Sequence, residues 1–329
     1  MIFSKLTAAG SKLLPVAALA AATAWTASAG AQVYPNKPIH MLVPYAPGGI
    51  VDTTARLVQD GMQKVLGQTV IIDNRSGAAG EIATEMVAKA APDGYTILCD
   101  NESHAINPAI VPKLPYDTEK DFAAVSQISS VTRLFVVNVQ TPVKTLKEFV
   151  ALAKANPGKY NYANAASGVQ LGMELFDNMA GIKVTMVAYR GGAPAMTAMV
   201  SNETQITLVP LVPALSFIKQ GKLRALAAAA GKRVPQLPDV PTVAEAGYPE
   251  FQAPSWVGIF APTHTPPAVI DKLHAAVAAA LQSPERLKRF GELGMDPAPT
   301  PGAEFAKSVA ADIARWTKVA HDNHIVLQN

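Results

Sequence analysis

The sequence predicts an α/β chain folded as two lobes around a cleft, each lobe a mostly parallel sheet flanked by helices. Strands and helices alternate along nearly its whole length. About 300 residues beyond an N-terminal leader usually divide between two domains. A strand–tyrosine–Gly-Gly–helix pattern occurs twice, about one lobe apart, at Val43-Pro44-Tyr45-Ala46-Pro47-Gly48-Gly49 and Val187-Ala188-Tyr189-Arg190-Gly191-Gly192.

Residues 1–31 read as a signal peptide. Lys5 and Lys12 precede an apolar stretch from Leu13 to Ala27, and Ala27-Ser28-Ala29-Gly30-Ala31 offers cleavage after Ala29 or Ala31. Pro15, Thr23 and Thr26 interrupt the stretch, which is short of the ~20 apolar residues of a membrane span. Removal is therefore favoured over a retained anchor, and no later apolar run is long enough to cross a membrane. No cysteine follows the small residues, so lipid attachment is not expected. The formal charge is +3, and Lys5 and Lys12 leave with the leader. The remainder is close to neutral and has no Lys/Arg run to neutralise a row of phosphates, so nucleic acid is excluded as a partner. Cys99 is the one cysteine, which rules out an internal disulfide and a cysteine-based metal cluster. At the end of the apolar run Tyr95-Thr96-Ile97-Leu98, its thiol is expected to be buried.

In the first lobe, Ile39 to Val43 reads as a strand running into the glycine turn. A helix follows, with Val51, Ala55, Val58, Met62 and Val65 on one face, ended by Gly67. Next come the strand Val70 to Ile72, a Gly/Ala loop from Asn74 to Gly80, a helix through Ile82, Met86 and Ala90, and the strand at Tyr95. In the second lobe, Leu134 to Val139 is a β-branched run, and Thr145-Leu146-Lys147-Glu148 is a capping box that turns Leu146, Phe149, Val150 and Ala153 inward. Strand Tyr160 to Ala163, helix Val169 to Ala180, strand Val184 to Tyr189, helix Pro194 to Val200, strand Ile206 to Val209, helix Ala214 to Gln220 and strand Leu223 to Ala228 complete it. The Pro-rich segment Val234 to Pro241 breaks the alternation. After Trp256 to Phe260, three helices begin at Thr265-Pro266, Ser283-Pro284 and Thr300-Pro301, where a hydroxyl is expected at the N-cap and proline at the first helical position.

The repeated glycine turns carry the functional reading. A Gly-Gly turn at a helix N-terminus leaves backbone N–H groups free, and the aligned peptide dipoles favour an anion there. In α/β sheets, ligands bind beyond the C-terminal ends of the strands, where these turns lie. Two turns, one per lobe, can grip one anionic group from both sides. Hydrogen bonds to a charged group contribute ~1.5–3 kcal/mol each, so about four match the ~8 kcal/mol of micromolar binding before ordering costs.

Enzyme signatures are missing: there is no Gly-x-Ser-x-Gly elbow, His-Glu-x-x-His, Walker loop or dinucleotide fingerprint. Ser76 and Ser167 lie in Gly-containing loops without a sequence-evident base. His321 and His324 read as solvated, not metal-binding. No catalytic residue, metal or cofactor is expected.

Specific residues then carry a resemblance. They are Tyr34-Pro35-Asn36-Lys37-Pro38-Ile39, the Pro44 to Gly49 turn with Asp52, Gly67-Gln68-Thr69-Val70, and Asn74-Arg75-Ser76-Gly77-Ala78-Ala79-Gly80. Further along are Ala91-Pro92-Asp93-Gly94-Tyr95-Thr96, Leu114-Pro115-Tyr116-Asp117, Tyr189-Arg190-Gly191-Gly192-Ala193-Pro194 and Leu237-Pro238-Asp239-Val240-Pro241-Thr242. Over nearly its whole mature length the chain resembles the extracytoplasmic receptors of the tripartite tricarboxylate transporter type, the Bug family.

The resemblance implies a type II periplasmic-binding-protein clamshell with crossings near residues 131 and 253. Lobe 1 would be residues 32–131 plus 254–329, and lobe 2 residues 132–253. It implies a periplasmic monomer that captures a small carboxylated ligand for membrane transporter subunits of that type. The ligand would meet Tyr45, Ala46, Gly48, Gly49, Ile50 and Val51 on one lobe, and Tyr189, Arg190, Gly191, Gly192 and Ala193 on the other. Asp52 would hold a water or a ligand amino group, or serve only as an acidic residue in a helix's first turn. Ser167, Gly168 and Gln170 would contact the distal end of the ligand, with Asn101, Glu102, Ser103 and His104 in a comparable position. Family members often carry a histidine four residues before a glutamate; here Gln170 precedes Glu174, so a pH-sensitive contact is lost. The alternatives are a sensor subunit presenting its ligand to a membrane signalling protein and, more remotely, a periplasmic enzyme.

Overall fold

The structure is a computed structural model and describes residues 34–77, 80–189, 192–323 and 325. The leader reading, residues 1–31, falls outside the described residues. The elements below belong to the unit Lys37–Asn329.

Two sheets organise the chain. The first contains β1 (Ile39–Val43), β2 (Val70–Asn74), β3 (Thr96–Asn101), β4 (Phe122–Val131), β10 (Trp256–Pro262) and β11 (Met295–Pro297), in spatial order β11-β4-β10-β3-β1-β2. The second contains β5 (Arg133–Asn138), β6 (Asn161–Asn164), β7 (Thr185–Ala188), β8 (Ile206–Pro210) and β9 (Leu223–Ala229), in order β7-β6-β8-β5-β9. Each is flanked by helices, as the alternation predicts.

Both sheets are mixed rather than mostly parallel. β1 pairs in parallel with β2 and β3, but β10 runs antiparallel to β3 and β4, and β11 antiparallel to β4. β6 is parallel to β7 and β8, whereas β5 is antiparallel to β8 and β9. The cause is the crossing of the chain. β5 and β10 each arrive from the other lobe, enter their sheet at the end where the parallel strands leave, and so run against them.

The described helices are α1 (Ile50–Leu66), α2 (Glu81–Ala88), α3 (Ser103–Ile110), α4 (Leu146–Ala155), α5 (Ser167–Ala180), α6 (Gly192–Val200), α7 (Leu211–Lys219), α8 (Pro267–Ala280), α9 (Pro284–Glu292) and α10 (Gly302–Asp322). In α1 the buried face is Val51, Ala55, Val58, Met62 and Leu66, and Val65 is exposed. Helical drift past Met62 brings the larger Leu66 onto the core. α2 departs further: it buries Ala83, Thr84 and Val87 and exposes Ile82 and Met86. The Thr145 hydroxyl caps α4 by accepting from Glu148 N at 3.1 Å, while Glu148 accepts from Lys144 N, one residue before the expected position. The three hydroxyl–proline starts do not cap. α8 and α10 begin one residue later with Pro266 and Pro301 at the N-cap, Thr265 and Thr300 donate backwards to Pro262 O and Ala298 O, and Ser283 makes no cap bond.

The first sheet packs Leu42, Leu98 and Phe260 against Ala83 of α2 and Phe305 of α10. A second cluster gathers Leu134 and Val136 with Met196 and Met199 of α6. A third joins Phe135 of β5 and Phe176 of α5 to Ile106 of α3 and Trp316 of α10. α10 therefore reaches both cores.

Candidate functional site

The first glycine turn leaves the C-terminal end of β1. Gly48 takes φ +85°, a left-handed conformation that side-chain-bearing residues rarely adopt. Its N–H donates to Asp52 Oδ2 at 2.9 Å. Asp52 is buried, and its other oxygen accepts from Asn74 Nδ2 at 3.0 Å, while Arg56 binds both oxygens from the next turn of α1. The Asn74 amide also donates to Tyr45 O, so the end of β2 braces the loop. Burial alone would raise the Asp52 carboxyl, but the bonds from Arg56, Gly48 and Asn74 outweigh it and hold it below the usual carboxylate range. Both oxygens thus serve the turn itself. Gly49 is the N-cap of α1, extended at φ −72° and ψ 171°, and no cap side chain bonds the helix's first N–H groups. Ala46, Gly48 and Gly49 are exposed, Ile50 is intermediate and Val51 buried.

Polar groups continue from the turn along the end of β3. Asn101 Oδ1 accepts from the Tyr45 hydroxyl and from Ser103 N, both at 3.0 Å. Burial pushes the neighbouring Asp100 carboxyl up to about 7 against the opposing bond from Asn101 N, and the Glu102 charge adds to the rise. Ser103 Oγ lies 3.2 Å from Ser167 Oγ, joining the start of α3 to the start of α5. Beside this contact Arg133 and Glu102 form a buried ion pair. Glu102 Oε2 accepts from Ser255 Oγ at 2.9 Å, and Arg133 Nη1 donates to Gly168 O at 3.3 Å. Gly168 sits so close that a Cβ there would lie 2.7 Å from both Arg133 Nη2 and Glu102 Oε1.

Tyr45, Ser103, Ser167 and Gly168 are thereby brought into one connected network. Gln170, one helical turn further into α5, is 9% exposed. His104, expected beside them, points elsewhere. Its ring packs against Phe122 and Phe260 at centroid distances of 4.8 and 4.2 Å, with neither nitrogen hydrogen-bonded, and burial pushes its pKa down to about 3. It is a neutral core side chain, turned inward because α3 lays that face on the first sheet.

Only part of the second turn is described, since Arg190 and Gly191 lie outside the described residues. Tyr189 N donates to Asn164 O, and its hydroxyl to Glu203 Oε1 at 2.9 Å on its own lobe. Gly192 opens α6, and it and Ala193 are exposed. Among the described residues no hydrogen bond joins this turn to the first. Sequence reasoning missed Asn74, Ser255 and Arg133. Arg133 alone left a signal, as the charged residue heading the apolar run 134–137. Among the described residues no group of His, Cys, Asp and Glu could hold a metal ion, and no helix is long and apolar enough to cross a membrane.

Two mixed sheets joined by crossing strands, with a polar seam where their strand ends meet, define a two-lobed solute-binding clamshell. The family described as tripartite tricarboxylate transporter family receptor matches residues 54–324, and the chain belongs to it. Protein BugT of Bordetella pertussis is 35% identical over 94% of this chain and 97% of its own. Among solved structures, R. palustris Rpa4515 with adipate is 33% identical with TM-score 0.81, covering 89% of this chain and 99% of that one. MatC from Rhodopseudomonas palustris with bound malate is 35% identical with TM-score 0.77, covering 87% and 99%. Two of these relatives are thus solved with a small carboxylate, adipate or malate.

Proposed function

We propose that the chain is a periplasmic receptor that closes its two lobes on a small carboxylated solute and delivers it to membrane subunits of a tripartite transporter. The carrying observation is the first turn. Asp52, the one acid beside it, is consumed in holding Gly48, and the 17-residue helix behind it has no side-chain cap. The first N–H groups of that helix, without a side-chain cap, are therefore left for an outside anion. Relatives solved with adipate and malate support a carboxylate as that anion.

The second turn, from Tyr189 to Ala193, contributes the opposing donors, and Ser103, Ser167, Gly168 and Gln170 meet the far end of the ligand. Sheet membership supports lobe bounds of 32–131 plus 254–329 and 132–253. The reading also takes residues 1–31 as a cleaved signal and the mature protein as a monomer that performs no chemistry on its ligand. A thermal-shift screen tests it, because a ligand that binds only the folded state raises the melting temperature. Carboxylates should shift the melt, while matched diamides and alcohols should not. Equal shifts from the uncharged compounds would sink the anion mechanism.

A further inference from the structure

We infer that the cleft beyond the first turn accepts an uncharged hydrogen-bonding group, and that Glu102 imposes this by cancelling the charge of Arg133. The ligand would then carry one carboxylate and a distal amide or hydroxyl. This deepens the receptor reading above and rests on it.

The network runs outward from the first turn. The groups reached in order are the Tyr45 hydroxyl, the Asn101 amide, and the hydroxyls of Ser103 and Ser167. All are neutral. Gln170, 9% exposed and one turn into α5, adds a side-chain amide with no hydrogen bond among the described residues. The one cation in this network is Arg133, and it is paired with Glu102. Both are nearly fully buried, so water does little to screen either, and the pair presents almost no net charge. Ser255 holds the second Glu102 oxygen, fixing the carboxylate against the guanidinium.

Among the described residues the other local charges nearly offset one another. The N-terminus of α5 carries roughly half a positive charge and lacks a side-chain cap. Across the seam, near the end of β3, stands the buried acid Asp100, whose carboxyl opposes that partial charge. A second ligand carboxylate would meet no net positive charge there to offset the loss of its hydration. An amide or hydroxyl would instead find donors and acceptors already in place. A site built to hydrogen-bond a neutral group rejects analogues that leave its buried groups mispaired.

The test is calorimetric titration of the mature protein with matched series: diacids of increasing length, their half-amides and their diamides. The best half-amide should bind about tenfold or more tighter than the diacid of equal length, and the diamide should not bind. Glu102→Gln frees the Arg133 charge and should move the selectivity ratio towards the diacid. The double variant Glu102→Gln/Arg133→Gln removes both charges and should restore the half-amide preference. If the single variant does not fold, judged by its thermal melt, the wild-type ratio and the double variant decide. A diacid that binds the wild-type protein as tightly as its half-amide overturns this inference and leaves the receptor reading standing. A ratio that Glu102→Gln leaves unchanged overturns the role of Glu102. Failure of every acid to bind overturns the receptor reading and this inference together.

Discussion

Replacing Gly168 by alanine pushes a methyl group into the ion pair at the seam. The Cβ would lie 2.7 Å from Arg133 Nη2 and from Glu102 Oε1, and 3.1 Å from Arg133 Nη1. These are ends of flexible side chains, which would ordinarily make the clash cheap to relieve. Here both are buried and tied, Glu102 to Ser255 and Arg133 to Gly168 O, so moving either one parts the pair. Breaking a buried pair outright costs about 3–5 kcal/mol and overpacking about 1–3 kcal/mol. Because the guanidinium can pivot in part, about 2–4 kcal/mol is expected. At ~2–4 °C per kcal/mol for a chain of this size, the melting temperature should fall by roughly 5–15 °C. Scanning calorimetry of the mature protein measures it. Gly192→Ala is the control, since a Cβ there meets nothing within 4 Å, and its change should stay within ~0.5 kcal/mol. A Gly168→Ala melt that matches the control would show that the seam is loose, and the reasoning from close packing would fail.

Three further outcomes are expected. Asp52→Ala removes the acceptor of Gly48, Asn74 and Arg56 and should cost about 1–3 kcal/mol by denaturant titration, since Gly48 and Arg56 are exposed and Asn74 alone is half-buried; the Asp52 contribution, from a carboxyl held low, is present above the ordinary carboxylate range and lost as pH falls through its lowered value. Asp100 and Asp177 act in the opposite sense: burial raises both to about 7, so their contribution is full below the ordinary carboxylate range and lost as pH rises through about 7. The melting temperature should therefore decline from mildly acidic to mildly alkaline pH, and Asp100→Asn/Asp177→Asn should flatten that decline; an unchanged slope would refute the assignment. For the Ser103–Ser167 contact, a double-mutant cycle to alanine should give a coupling of about 0.5–1.5 kcal/mol, and additive effects would mean the two hydroxyls do not interact.

The alternation of elements was legible because periodicity and turn residues are local signals. β1, β3 and the strands from β5 to β10 fall within a residue or two of their expected places. β4 was not legible: Phe122–Val131 mixes alanine, serine and glutamine, and its burial of Ser126 and Ser129 follows from pairing with β10, a partner more than a hundred residues away. The direction of β5 and β10 is likewise a consequence of crossing between lobes, which no window of sequence contains. On α2 the larger apolar residues suggested a face that the fold leaves outside, because only Ala83, Thr84 and Val87 fit against the sheet. At the site, the Gly48-Gly49 turn was readable from composition alone. Its bracing by Asn74 and the pairing of Glu102 with Arg133 were not, since each joins residues from separate strands. The histidine that sequence favoured for the cleft is instead surrounded by Phe122 and Phe260, a contact visible only once β4 and β10 are in place.

Amide proton shifts of the mature protein, followed while a bound carboxylate is titrated to saturation, give the most direct test of whether backbone donors hold the ligand. The resonances of Gly49, Ile50 and Val51 should move downfield together with a midpoint equal to the calorimetric affinity, as N–H groups at the start of α1 acquire an anionic acceptor. Saturating binding that leaves those three resonances in place would mean the anion is held somewhere else.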